Sequence, residues 1–317
     1  MRPAFSVIFL TTLIGAAQGL FVALYVAELG ARIGWIAPVA SGFYVAGSAL
    51  VVVFMVLGLV ASIFHLGRPE RGWRAASRWR TSWLSREIIV LPLFTAGAFF
   101  YGVAHWLLPV DAGVRATLAL GAVTAVLSLA LYVCTGMIYA CLKFLQEWAT
   151  PLTVVNYTLL GLASGFTLAT AYAAFAAPAL AGVFGPCAFA LALAAWLTRG
   201  ASLVRNARLR PKSTLQTAIG VKHPHIVQTS MGMMGGAFNT REFFHGRSPA
   251  ALHAIKWIFL LLVFPVPAAM LAAGLMLSSA PLLAAAFALQ YLGLLAERWF
   301  FFAQARHPQN LYYQSVA

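Results

Sequence analysis

The amino-acid sequence predicts an all-α integral membrane protein, a bundle of about eight transmembrane helices with both termini cytoplasmic. Hydrophobic residues make up 62% of the 317 residues and charged residues only 9%. A soluble domain carries roughly a quarter of its residues as charges, so this chain cannot cover itself with a polar surface. The few charges gather between long charge-free runs, and the basic ones fall almost entirely on one face.

The runs define the elements in order. They cover 25 residues (Pro3 to Ala27), 35 (Ile33 to Gly67), 23 (Ile88 to Val110), 27 (Ala116 to Leu142), 51 (Trp148 to Thr198) and 40 (Trp257 to Ala296). One crossing of the hydrocarbon needs about 20 apolar residues. An Arg, Lys or Asp at the centre of an inserted helix costs roughly 3 kcal/mol, which keeps the runs clean. The two longest runs hold two helices each, divided at Ala177-Pro178 and at Ser278-Ser279-Ala280-Pro281. Proline starts a helix well and continues one badly. The spans therefore lie near 4–28, 40–66, 86–107, 115–141, 152–176, 179–198, 253–276 and 281–303. The first run is too long for a signal-peptide core and is read as a retained helix. Cys134, Cys141 and Cys187 all fall inside spans, which suggests no disulfide framework.

Alternating the loops across eight spans places 19 of the 21 Lys and Arg on the side of the N-terminus, leaving Arg32 and Arg115 opposite. Cytoplasmic loops carry the positive excess, so both termini are expected inside. The net charge of +14 is then orientation signal and contact with anionic lipid headgroups rather than nucleic-acid binding. Tryptophans gather at the same two levels: Trp73, Trp79, Trp83, Trp148, Trp196, Trp257 and Trp299 inside, Trp35 and Trp106 outside. They read as interfacial belts.

Gly15-Ala-Ala-Gln-Gly19 and Gly161-Leu-Ala-Ser-Gly165 are small-xxx-small patterns that let helix backbones approach closely. Two cytoplasmic segments stand out. In Gly67 to Ser85, Arg71, Arg74 and Arg78 recur at spacings of three and four, which on an α-helix puts three guanidinium groups on one face. The stretch from Arg199 to Lys256 carries nine Lys or Arg against Glu242 alone, and includes the apolar patch Met231-Gly-Met-Met-Gly-Gly236. Its residues 199–252 are expected to be ordered, either dipping into the interface or covered by a partner.

The residue inventory limits the chemistry. An iron–sulfur cluster needs about four Cys ligands at characteristic spacing, and three dispersed cysteines do not supply them. A membrane haem b usually needs two facing His; here His65 and His105 lie at opposite faces and the other five fall in loops or at span ends. No nucleotide or zinc-protease motif occurs. What remains is an ionisable group at the junction of the second and third spans: His65, Arg68, Glu70, Arg71, Arg86 and Glu87. Ionisable groups at membrane level are functional hypotheses. A quinone site needs an apolar cleft, hydrogen-bond donors for the carbonyls and a proton route to water. An interfacial His with a carboxylate nearby supplies donor and relay. The competing reading is local: His65 bonded to backbone at a helix end, and Glu87 paired with an Arg.

Ile63-Phe-His65-Leu-Gly-Arg68-Pro-Glu70-Arg-Gly-Trp-Arg74, followed by Trp79-Arg-Thr-Ser-Trp-Leu-Ser-Arg86-Glu87, resembles the membrane-anchor subunits of the dimethyl sulfoxide reductase family. Within it the likeness is greatest to the anchor of the cytoplasmic-type sulfite-oxidising molybdoenzyme. Phe144 to Tyr157, His223 to Gly236 and Asn239 to His245 point the same way, so the resemblance spans the chain. It implies an eight-helix anchor in the bacterial inner membrane, with no haem and no iron–sulfur cluster of its own. Such an anchor holds an iron–sulfur subunit and a molybdopterin catalytic subunit and exchanges electrons with ubiquinone or menaquinone. It implies quinone-site roles for His65 and Glu87. Arg71 and Arg74 join them as groups that would hold a quinone carbonyl or an acidic face of the iron–sulfur subunit. Arg78, Arg80 and Arg241 are the expected docking residues, and no catalytic or metal-binding residue is assigned. The cytoplasmic basic face fits the sulfite-oxidising type, whose soluble subunits face the cytoplasm. The alternatives are the anchor of a dimethyl sulfoxide, polysulfide or tetrathionate reductase, a passive anchor without quinone contact, and, remotely, a secondary transporter.

Overall fold

The computed structural model describes residues 1–64, 67–108, 110–230 and 237–313, with only the backbone for residues 69 and 110–113. All regular structure among them is helical. The spanning elements are α1 (Phe5–Arg32), α2 (Ser41–Ile63), α3 (Trp83–Leu107), α4 (Val110–Ala140), α5 (Pro151–Ala176) and α6 (Pro178–Ala207). Two short helices follow, α7 (Leu215–Ile219) and α8 (Phe238–Glu242), before α9 (Pro249–Val263), α10 (Pro265–Met276) and α11 (Ala280–Ala303). By length and composition, eight helical stretches among these residues can cross a membrane, α9 and α10 forming one of them.

α1 and α5 are the central pair, with 72% and 67% of their most apolar stretches buried against 28–39% for the others. Their two glycine motifs meet each other. A Cβ at Gly19 would stand 2.7 Å from the Gly161 carbonyl oxygen and 2.9 Å from Gly165 Cα, contacts only glycine permits. Lipid tails are as apolar as the helices, so close backbone packing replaces the hydrophobic drive at such an interface.

The helix breaks have local causes. Ala177 caps both α5 and α6, with Pro178 opening the second helix. The seventh span, expected to be continuous, is interrupted at Phe264 by Pro265 and Pro267. Pro267 has no N–H for the carbonyl four residues back, that of Val263. Gln290 on α11 donates its Nε2 to that carbonyl at 3.3 Å, satisfying in the membrane what the ring removes.

The chain ends pack on one face of the bundle. The Met1 amino group donates to the Ala305 carbonyl at 2.7 Å, and Arg2 N–H donates to the Glu242 carbonyl at 2.9 Å. The C-terminal stretch ties down the segment after α6: Tyr312 OH donates to the Ala218 carbonyl at 2.9 Å, and His307 stacks on Phe243 at 3.8 Å. We call this the N-terminal face. The patch 231–236 lies outside the described residues.

Two expectations change. α6 continues to Ala207, past residue 198, because the Arg199 guanidinium finds a partner inside the bundle. Trp148 is no belt residue: it is buried, stacked on Phe301, and donates its indole N–H to the Phe301 carbonyl at 3.0 Å.

Candidate functional site at the N-terminal face

Between α2 and α3 the chain forms a 3₁₀ helix, Pro69–Arg78, rather than an α-helix. With three residues per turn, Arg71 and Arg74 eclipse each other, while Arg78 at a spacing of four turns to a different side. The expected single face of three guanidinium groups is therefore a pair plus one. All three are exposed, as are Arg80 and Arg241. Arg71 approaches Glu70 at 3.9 Å, and Arg74 and Arg80 lie over Trp73 and Trp79 at 5.7 and 5.4 Å. Arg86 turns back, donating from Nε to the Trp79 carbonyl at 2.9 Å and from Nη2 to that of Arg80 at 3.0 Å. It fixes the end of the Arg/Trp segment to the start of α3.

Glu87 points the other way, into the bundle, and is only 7% exposed. Its hydrogen bond comes from the Thr135 hydroxyl of α4, which donates to Oε1, and not from an arginine. His65, the other residue expected at this site, lies outside the described residues.

At the same level lies an ionic cluster. Arg199 on α6 pairs with Glu297 on α11 at 2.7 Å, and Arg298 donates to the other carboxylate oxygen at 3.0 Å. Their exposures are 2%, 1% and 3%. Arg298 also lies 3.7 Å above the Tyr157 ring of α5. A carboxylate between two guanidinium groups is the arrangement that lets charge persist at low dielectric.

A second ionisable group occupies the opposite end. Glu28 accepts from Tyr101 OH at 2.6 Å and Thr117 Oγ1 at 2.5 Å, and faces His105 Nε2 at 3.4 Å. Tyr44 stacks on His105 at 4.4 Å. Four helices supply this group, and both Glu28 oxygens are engaged by the protein itself. That describes a clamp across α1–α4 rather than an open binding site.

A family model described as DMSO reductase anchor subunit (DmsC) matches residues 1–302. The chain belongs to that family. It is 54% identical over 325 aligned positions, covering 100% of both chains, to a sulfite dehydrogenase subunit of Allochromatium vinosum. It is thus a multi-pass membrane-anchor subunit of the dimethyl sulfoxide reductase family.

In this DmsC-family anchor the sequence-predicted residues separate by environment. Glu87 is buried, while Arg71, Arg74, Arg78, Arg80 and Arg241 are exposed on the N-terminal face. Residue patterns did not reveal Thr135, Arg199, Glu297 or Arg298 as neighbours of the site. The one signal was the pair Glu297-Arg298 running straight into Trp299-Phe-Phe-Phe302, charges with apolar sequence on both sides. Outside the spans, burial holds the His245 and His307 imidazoles below their usual range, with the N-terminal amino group adding to the effect.

Proposed function

We propose that this subunit passes electrons from a sulfite-oxidising molybdopterin enzyme, through that enzyme's iron–sulfur subunit, to quinone in the bacterial inner membrane. Both soluble partners then dock on its N-terminal face, which lies in the cytoplasm. The observation that carries the reading is the sequestered Glu87 carboxyl just inside the arginine-rich segment, in a family of redox anchors. The direction rests on the kinship to a sulfite dehydrogenase subunit.

Reduction of a quinone takes two electrons and two protons. The electrons come from the partner's clusters, so the residues of this chain position the ring and move protons. Glu87 delivers a proton at its carboxyl, and Thr135 holds that carboxyl in place. The family resemblance links His65 to the quinone site, where an imidazole would serve as donor to a quinone carbonyl. Exposed guanidinium groups suit an acidic protein face: Arg78, Arg80 and Arg241 dock the iron–sulfur subunit, and Arg71 and Arg74 bridge to the quinone mouth.

The test is sulfite-dependent reduction of a short-chain quinone by the complex purified in mild detergent. Turnover with a soluble dye that takes electrons directly from the partner serves as the assembly control. For Glu87→Gln the expected result is a fall of about tenfold or more with quinone while the dye reaction persists. Unchanged quinone turnover overturns the assignment. Recovery of the chain without an iron–sulfur partner, or a complex that reduces dimethyl sulfoxide from quinol but does not oxidise sulfite, overturns the wider reading.

A further inference from the structure

Behind Glu87 the fold leaves several buried polar atoms without protein partners. Two small cavities lie there. The first sits between α1, α4, α5 and α11, and its lining includes Thr11, Gln18, Tyr132, Thr135, Tyr157 and Arg298. The second lies between the α4–α5 loop, α5, α6 and α11, with Glu147, Asn156, Tyr157, Arg199, Glu297 and Arg298 in its lining. Tyr157 and Arg298 belong to both, so the cavities share a wall. Each has room for about one water molecule, far too little for a quinone ring.

The chemistry of the linings is mixed. Around the second cavity, Glu147 Oε2 and Asn156 Oδ1 are acceptors without a bonded donor; Arg199 Nη2, Arg298 Nε and Gln304 Nε2 are donors without an acceptor. An anion would suit the donors and strand the acceptors, and a cation would do the reverse. Water both donates and accepts, and buried polar atoms persist where it reaches them. The charges balance as well, two guanidinium groups against Glu297 and Glu147. Tyr139, stacked on Tyr157 at 5.5 Å, and the Met1 amino group, which feels the Glu147 charge, are further titratable groups packed here. At the near end, Thr135 lines the first cavity, and its hydroxyl donates to Glu87. At the far end, Glu147 sits in the loop on the N-terminal face, where Arg205 donates to the neighbouring Gln146 carbonyl at 3.1 Å.

The geometry points to a hydrated proton path from the N-terminal face, through Glu147, the Arg199–Glu297–Arg298 cluster and Thr135, to Glu87. This rests on the quinone reading above. The balance is quinone plus two electrons plus two protons giving quinol, with both electrons from the iron–sulfur partner and both protons arriving in turn along this path through Glu87. Arg298 and Tyr157 form the wall between the two cavities, where a proton would cross from one to the other, and the ionic cluster holds its charge constant as protons pass.

Two substitutions at opposite ends test it in the intact complex, Thr135→Val and Glu147→Gln, neither of which removes a member of the ionic cluster. The readouts are quinone turnover against pH, its solvent deuterium isotope effect, and affinity for a quinone-analogue inhibitor. The expected result is a turnover loss of about tenfold with a larger isotope effect, unchanged inhibitor affinity, and rescue by Thr135→Ser. A purely structural role would lower inhibitor affinity or complex yield in step with turnover. That outcome overturns the path, as do unaltered turnover and isotope effect in both variants while Glu87→Gln stays inactive with quinone. If Glu87→Gln is itself unaffected, it is the quinone reading that fails.

Discussion

Arg199 on α6 and Glu297 on α11 form a 2.7 Å ion pair buried inside the bundle, and Arg298 closes the carboxylate from the other side. The fold places this cluster at the level of Glu87, so the N-terminal end of the bundle is both an ionic lock and the candidate reaction site.

The lock predicts an asymmetry. Glu297→Gln strands two buried guanidinium groups and should cost about 3–5 kcal/mol. Arg199→Gln leaves the Glu297–Arg298 pair intact and should cost roughly half as much. Thermal unfolding of the detergent-purified complex gives the order, and equal shifts would contradict the lock.

The α1–α5 contact predicts that Gly19→Ala destabilises the subunit although alanine is the better helix former. The new methyl meets backbone atoms at 2.7 and 2.9 Å, which cannot rotate away. Overpacking of this kind costs about 1–3 kcal/mol. Gly42→Ala, where the structure offers open space, is the control and should be neutral or better. Both changes can be read from melting of the same preparation.

Glu28→Ala tests whether the opposite cluster is structural. It deprives Tyr101 and Thr117 of their acceptor and leaves His105 without its neighbour at 3.4 Å, at a cost of about 3 kcal/mol. Quinone turnover per assembled complex should hold. A turnover loss without a stability loss would move the reaction to this face.

The C-terminal contacts carry a pH dependence of defined sign. His307 and His245 are held below their usual value of 6.5 by burial, so below that pH the unfolded chain binds more protons than the folded one. Packing of the tail on α8 is therefore complete above pH 6.5 and weakens as the pH falls below it. Hydrogen exchange of the amides in 237–245 and 307–313, corrected for the intrinsic pH dependence of exchange, should show less protection at about pH 5.5 than at about pH 7.5. The opposite order would contradict the burial assigned to His307.

The eight spans were legible because hydropathy and charge-free length report directly on the cost of crossing lipid. The Gly15/Gly19 and Gly161/Gly165 motifs were legible as packing surfaces, but a small-residue pattern does not name its partner. The break at Phe264 was hidden because Pro265 and Pro267 sit in an otherwise unbroken apolar run. Arg199 and Arg298 were counted as loop charges, since a lone charge at the end of a run reads the same whether it faces lipid headgroups or a buried carboxylate. Glu87 came from its motif, yet its partner Thr135 lies 48 positions away with nothing local to mark it. The three-residue spacing of Arg71 and Arg74 survived the change from α to 3₁₀ geometry, and the four-residue spacing to Arg78 did not.

The central claim is that quinone meets this subunit beside Glu87 on the N-terminal face. Photolabelling of the complex in native membranes with a photoreactive quinone, followed by peptide mapping, tests it most directly. Label is expected on the end of α2 and the start of α3 around Glu87, competed away by excess quinone and reduced in Glu87→Gln. Competable label confined to peptides bearing Glu28, Tyr44 and His105 at the opposite end would contradict it.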